Sequence, residues 1–242
     1  MAGDVRSDAC ADVRSDLRDR DLGAARNELN RAGQVTLRGL LTTDEIGEFR
    51  AILDRALPAA QKVELPPEFE VYRRAFDQYM NLWRVDDAVR AITLHSELAA
   101  VAAELLGVEA VRLYHDQALV KRAGGGRTPW HQDQWYWPLD TDRTITMWLP
   151  LDTVGPDMGE LEFALGSHRG PIGDVPISGE SDVWYERHLS EHNHDRRTTG
   201  EMWAGDASFH LGWTLHRAEP NVTDRDRVVM TVIWFADGAR VT

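Results

Sequence analysis

Cysteine is almost absent from this chain. Cys10 stands alone among 242 residues, so there is no intrachain disulfide framework, and a reducing compartment is expected. Long apolar runs are missing too. None approaches the ~20 residues a helix needs to cross a bilayer, and the opening MAGDVRSDACADVRSDLRDRD lacks the apolar core of a secretory leader. The expectation is a cytoplasmic protein without membrane contact. Positive charge is in deficit, with 27 Lys and Arg against 40 Asp and Glu and a formal net charge of −13. That disfavours nucleic acid as a partner, because phosphate backbones attract basic surfaces. What the chain does have is 43% hydrophobic residues, over a length that suits one β-rich domain.

The first 24 residues are dominated by Asp and Arg and hold DVRSD twice, at 4–8 and 12–16. Two short polar copies supply no core, so residues 1–24 read as a flexible tail and 25–242 as a single domain. From about Leu22 the pattern becomes globular. LGAARNELNRAG reads as a helix closed by Gly33, QVTLRG as a short strand, and Thr42 with Glu45 as a capping box opening DEIGEFRAILDRAL, which Pro58 ends. Residues 59–80 show no period and read as an irregular segment crossing the mouth of a site. VDDAVRAITLHSELAAVAAELLG reads as a helical stretch ending at Gly107. Strands then dominate: VRLYHDQALVK, TPWHQDQWYW, RTITMWLPLD, GELEFALG, GDASFHLG, WTLHRAEP and RVVMTVIWFA. A mainly β chain with helices collected toward its N-terminus predicts a jelly roll, the cupin-like double-stranded β-helix, buttressed by helices.

The strongest chemical signal is His131-Gln132-Asp133, followed by His216 and then Arg227. Two imidazoles and a carboxylate are a common donor set for ferrous iron, and three ligands on one face leave the opposite positions open. On a strand, residues two apart share a side, so His131 and Asp133 reach one metal if residues 130–134 run extended. Trp135, Tyr136 and Trp137 are strand-compatible, and the glycines at 124–126 with Pro129 mark a loop just before. Such a triplet is weak alone. His95-Ser96-Glu97 has the same spacing, but its surroundings read as helix, where i and i+2 do not share a face, so His95 reads as a helix or helix-entry residue. What distinguishes the first triplet is HRAEPNVTDRDRVVMTVIWF: a third His, a turn, and an Arg entering a β-branched run.

GQVTLRGLLTTDEI, RLYHDQALVKRAGGGRTPWHQDQWYWPL, TITMWLPLDTVGPDMGELEFALGSHR and LHRAEPNVTDRDR together resemble the phytanoyl-CoA dioxygenase family of Fe(II)- and 2-oxoglutarate-dependent oxygenases, over roughly residues 30–238. The resemblance implies that His131, Asp133 and His216 bind Fe(II), and that Arg227 pairs with the distal carboxylate of the cosubstrate 2-oxoglutarate. A guanidinium suits that task because it grips a carboxylate through two parallel hydrogen bonds. Arg225, in the polar turn, reads as solvated. Gln117 and Trp137 match family positions near the cosubstrate, and Thr146 and Trp148 fit either the same pocket or the core. Many relatives carry a Ser where this chain has Ala218, which removes one bond to the cosubstrate. Related halogenases have Ala or Gly in place of Asp133, so the carboxylate argues against halogenation. The implied reaction consumes O2, releases succinate and CO2, and hydroxylates or otherwise oxidises a substrate.

Residues 170–200 form a long polar stretch read as a lid or substrate wall, with Trp184 and Tyr185, together with Trp135, as substrate contacts. Its His188, His192 and His194 fit no common zinc spacing. His168 and His210 read as scaffold or as support for the ligands. The expected substrate is a small molecule of secondary metabolism, partly apolar or cyclic; an acyl-CoA or an amino acid are the alternatives within the family. A divalent-metal hydrolase or a non-catalytic jelly-roll binding protein are the alternatives outside it. A monomer or homodimer is expected.

Overall fold

The computed structural model describes Leu17, residues 20–173 and residues 177–242. The described helices are α1 (Gly23–Ala32), α2 (Thr43–Ala56), α3 (Glu70–Arg73), α4 (Asp87–Thr93), α5 (Ser96–Leu106) and α6 (Gly179–Glu191). The strands are β1 (Gln34–Leu37), β2 (Asp77–Met80), β3 (Val111–Lys121), β4 (Thr128–His131), β5 (Thr144–Pro150), β6 (Leu161–Ala164), β7 (Arg196–Thr198), β8 (Ala207–Leu211), β9 (His216–Ala218) and β10 (Arg227–Ala236). They form two antiparallel sheets, one ordered β1-β8-β5-β10-β3-β2 and the other β4-β9-β6-β7. This is the jelly roll the strand pattern predicts. The DVRSD copies lie outside the described residues. Of the segment 1–24, Leu17 and Leu22 are buried against the core and α1 opens at Gly23.

The larger sheet is covered on both faces, which is why β5 and β10 read as continuous apolar runs. On β10, Val228, Met230, Val232 and Trp234 join one cluster with Ala118, Val120, Met147, Leu149 and Phe209. Apolar residues of α1, α2, α4 and α5 close that cluster, including Leu29, Phe49, Val89 and Leu98. The opposite face, with Val229, Leu119 and Trp148, meets Phe163, Leu161 and Ala218 of the smaller sheet. Alternation along each strand thus assigns one set of residues to the helices and the other to the space between the sheets.

The helices form where local chemistry starts and stops them. Thr42 and Glu45 make the capping box of α2, whose Ile46, Phe49, Ile52, Leu53 and Ala56 bury one face. Gly33 closes α1 in the left-handed region at φ 84°. The helical stretch expected over 85–107 is two helices: the chain turns at Leu94, and His95 caps α5 by accepting from Glu97 N–H at 3.3 Å. The polar stretch 170–200 also corrects expectation, since it contains α6 and β7. Its start was encoded, because Ser178 and Ser181 cap each other reciprocally, but its surface is mostly polar, with Tyr185 and Leu189 its buried apolar residues. Residues 59–80 include α3 and β2 among turns. No helix among the described residues is long and apolar enough to cross a membrane.

Candidate active site

His131 closes β4 and His216 opens β9. The two are register partners in the smaller sheet, so their side chains share a face, with ring centroids 4.2 Å apart. Gln132 is extended at φ −117° and ψ 122°. Asp133 therefore returns to the side of His131, with Nε2 to Oδ1 at 3.5 Å. The strand expected through residues 134–137 is absent, because Asp133–Tyr136 is a 3-10 turn. Buried Gln134 draws the chain into that turn through bonds to Gly212, Thr141 and Thr144. The site keeps its geometry, since bringing residues two apart to one face requires extended backbone only between them.

One donor atom from each of His131, Asp133 and His216 lies within 4.8 Å of the others, and among the described residues no other such group of His, Cys, Asp and Glu occurs. His131 Nδ1 faces the Pro129 carbonyl at 2.8 Å and His216 Nδ1 the Thr214 carbonyl at 2.9 Å. With those N–H groups donating, each Nε2 keeps its lone pair for a metal. Burial, and next the neighbouring His216, pulls His131 down to about 4; burial and His210 do the same to His216. Both rings are neutral at neutral pH, as ligation requires. Burial alone would raise Asp133, but His216, His210 and His131 together hold it well below the usual carboxylate range. Thr146 Oγ1 and His210 Nε2 each approach Asp133 Oδ2 at 3.4 Å.

A cleft runs inward from these three residues between the sheets to Arg227, passing Gln117, Thr146, Trp148 and Thr231. Arg227 is 1% exposed, donates from Nη1 to the Gly159 carbonyl, and lies 5.4 Å from the centroid of Trp148. Burial pulls its guanidinium down to about 9, still a cation at neutral pH. Among the described residues its Nε has no partner, and neither do the buried hydroxyls of Thr128 and Thr231. Buried polar atoms are normally paired. These three face a cleft that suits a carboxylate. The sequence also placed Arg225 in solvent, and it is exposed.

Outward from His131 and Asp133 opens a cavity of about 260 Å³. Its wall combines Val63, Leu65, Phe69 and Tyr72 from the irregular segment, as expected of it, with Trp137 and Ile177. Tyr72 borders both cavity and cleft, edge-on to His131 at 6.0 Å. Three aromatic expectations are corrected. Tyr185 is 1% exposed in a separate cluster with Trp130 and Leu189; Trp184 stacks on His188 at 5.2 Å, and Trp135 packs edge-on to Trp213. None of the three lines the cavity. An aromatic in a polar stretch gives no sign of which way its helix faces. His168 bonds the Asn30 carbonyl, a scaffold role. Not foreseen were Thr128, Thr231, Tyr72, Tyr114 and His115; strand alternation offered a signal for His115, from Gln117, and for Thr231, from Arg227.

A family model described as phytanoyl-CoA dioxygenase (PhyH) matches residues 29–229. A probable alpha-ketoglutarate-dependent hypophosphite dioxygenase of Stutzerimonas stutzeri is 26% identical over 141 residues, which is 56% of this chain and 48% of that protein. The match thus spans about half of that relative. Among solved structures, the chain is similar to the non-heme alpha ketoglutarate dependent carbocyclase SnoK from nogalamycin biosynthesis, with TM-score 0.79 and 25% identity over 93% of this chain and 87% of that one. It is also similar to the epimerase SnoN in complex with Fe3+, alpha ketoglutarate and nogalamycin RO, with TM-score 0.75 and 26% identity over 91% and 85%.

Proposed function

The chain belongs to the phytanoyl-CoA dioxygenase family, and on that premise we propose that it is an Fe(II)- and 2-oxoglutarate-dependent dioxygenase. It oxidises a small molecule, with release of succinate and CO2. Residues 25–242 form its one catalytic domain, and it acts in the cytoplasm as a monomer or homodimer. The activities named for SnoK and SnoN support a substrate from secondary metabolism. The observation that carries the reading is the pairing of a neutral-His, anionic-Asp donor set with a buried cation whose Nε has no partner among the described residues.

In this reading His131, Asp133 and His216 hold the metal. Fe(II) with 2-oxoglutarate, when bound, supplies the activation of O2 that drives substrate oxidation. Arg227 takes the distal carboxylate of 2-oxoglutarate by charge-assisted hydrogen bonds. Thr128 is the register partner of Ala218 across β4 and β9. Its hydroxyl, with that of Thr231, offers the bonds that a Ser at 218 supplies in relatives. Gln117, Thr146 and Trp148 shape the cleft, and Trp137 and Tyr72 wall the cavity against water. His210 and Thr146 steady Asp133.

The test is an anaerobic titration of the full chain with Fe(II) and 2-oxoglutarate, followed by substrate-dependent succinate release in air. Arg227→Gln is expected to raise the 2-oxoglutarate requirement by roughly tenfold or more. An unchanged requirement would move the carboxylate anchor elsewhere. Succinate release retained in His131→Ala would overturn the metal assignment.

A further inference from the structure

The cavity outside the three metal-site residues has an unusual charge balance. Among its described lining residues there is no Lys or Arg, and Asp133 is the sole carboxylate. Five of the lining side chains are aromatic besides the histidines: Phe69, Tyr72, Tyr114, Tyr136 and Trp137. A carboxylate, phosphate or thioester-linked nucleotide entering here would lose its hydration without meeting a cation. Flat apolar rings would meet matching aromatic walls.

His115 stands on this wall, 8% exposed; the Asp116 backbone acts on its ring from beside it, and among the described residues its buried Nδ1 has no partner at full hydrogen-bond geometry. Its place follows from the strand register. On β3, Lys121, Leu119, Gln117 and His115 point inward at two-residue steps, from beside Arg227 to the cavity. At Tyr114 the register with β10 slips: Ile233 opposes His115, but Trp234 opposes Leu113. This bulge lets consecutive residues Tyr114 and His115 both face the cavity, which a regular strand forbids. Their rings lie 4.9 Å apart. A buried imidazole nitrogen left without a full hydrogen bond is costly.

We propose that the substrate is an uncharged, ring-bearing molecule that presents a hydroxyl or carbonyl oxygen to His115, which sets how deeply the ring seats toward the metal. The assignment deepens the dioxygenase reading and rests on it. Burial pushes the His115 imidazole below its ordinary value, so a neutral ring, able to donate from one nitrogen and accept at the other, meets the oxygen. An anionic group seated inside the cavity itself would meet no Lys or Arg among its described lining residues.

The probes are 2-naphthol, 2-naphthoate and naphthalene, titrated calorimetrically, with naphthalene read by competition. The full chain is kept under nitrogen with Fe(II) and 2-oxoglutarate. The expected order has 2-naphthol at least about tenfold tighter than 2-naphthoate. His115→Phe should weaken 2-naphthol about fivefold and leave naphthalene unchanged, and His115→Gln should recover part of the loss. Equal or tighter binding of 2-naphthoate overturns the substrate class, as does no binding of any probe up to its solubility. Undiminished 2-naphthol affinity in His115→Phe overturns the anchor. If His115→Phe fails to fold, the neutral-against-anionic comparison in the unaltered chain and the His115→Gln variant still decide. Failure of Fe(II) and 2-oxoglutarate to bind sinks the dioxygenase reading separately, and the probes are then read in the metal-free chain.

Discussion

Strand β10 has two faces with opposite habits. Toward the helices it shows Val228, Met230, Val232 and Trp234, all within an apolar cluster. Toward the other sheet it shows Arg227 and Thr231, each with a buried polar atom that has no partner among the described residues, separated by Val229. The same backbone thus gives one face to holding the fold together and the other to groups that reach full satisfaction only with a ligand. Hydrophobic burial dominates the first face. On the second, each orphan polar atom is tolerated because the surrounding fold is stable enough to carry it.

The largest contrast comes from removing a metal-site residue. His216→Ala should abolish succinate release while leaving the urea unfolding midpoint of the metal-free chain near its starting value, since it deletes a ring held neutral by burial and not a core hydrophobe. A midpoint falling with the activity would blur the division between the faces. Phe209→Ala probes the other side. Phe209 is fully buried on β8 between register partners Val35 and Met147, so truncation should cost about 3–5 kcal/mol of stability, read by urea unfolding. The 2-oxoglutarate requirement of the fraction still folded should be unchanged.

The two faces were also unequally legible in the sequence. The strands of the larger sheet announced themselves as apolar runs rich in Val, Ile and Met, because burial is encoded by residue type. The candidate metal site was legible for a different reason: only a few residue types suit iron, and His131, Asp133, His216 and Arg227 have a recognisable spacing. The walls of the cavity were not legible. Phe69 and Tyr72 come from a segment without period, the pairing of Tyr114 with His115 depends on a bulge, and Tyr185 looked like a substrate contact although it is core. The turn at Asp133–Tyr136 was hidden because Gln134, which draws the chain into it, bonds to Gly212, far along the chain, as well as to Thr141 and Thr144.

A smaller effect separates packing from ligand binding on the inner face itself. Thr231→Val keeps the shape and removes the orphan hydroxyl. Stability should hold or rise slightly, while 2-oxoglutarate binding weakens about two- to tenfold in the anaerobic titration. If binding is unaffected, the Thr231 hydroxyl does not reach the cosubstrate, and the comparison loses its chemical half at that position.

The last effect, read in the pH dependence of stability and not in binding, concerns Lys121, the register partner of Arg227 and wholly buried. Its Nζ donates to the carbonyls of Gly126 at 2.7 Å and Glu219 at 2.9 Å. Burial, and next the Arg227 charge, pulls it down to about 6 from the ordinary 10.5. Between those values the unfolded chain holds a proton that the folded chain lacks, so raising the pH favours the folded state. That contribution is complete above the ordinary value and is lost as pH falls toward 6. The gain is at most roughly 1.4 kcal/mol per pH unit. Lys121→Met removes the proton difference, so its stability should rise less from pH 7 to pH 9 than that of the unaltered chain, measured by urea unfolding at both values. Parallel slopes would mean that Lys121 keeps its proton beside Arg227. The inner face would then carry two adjacent buried cations before any carboxylate arrives.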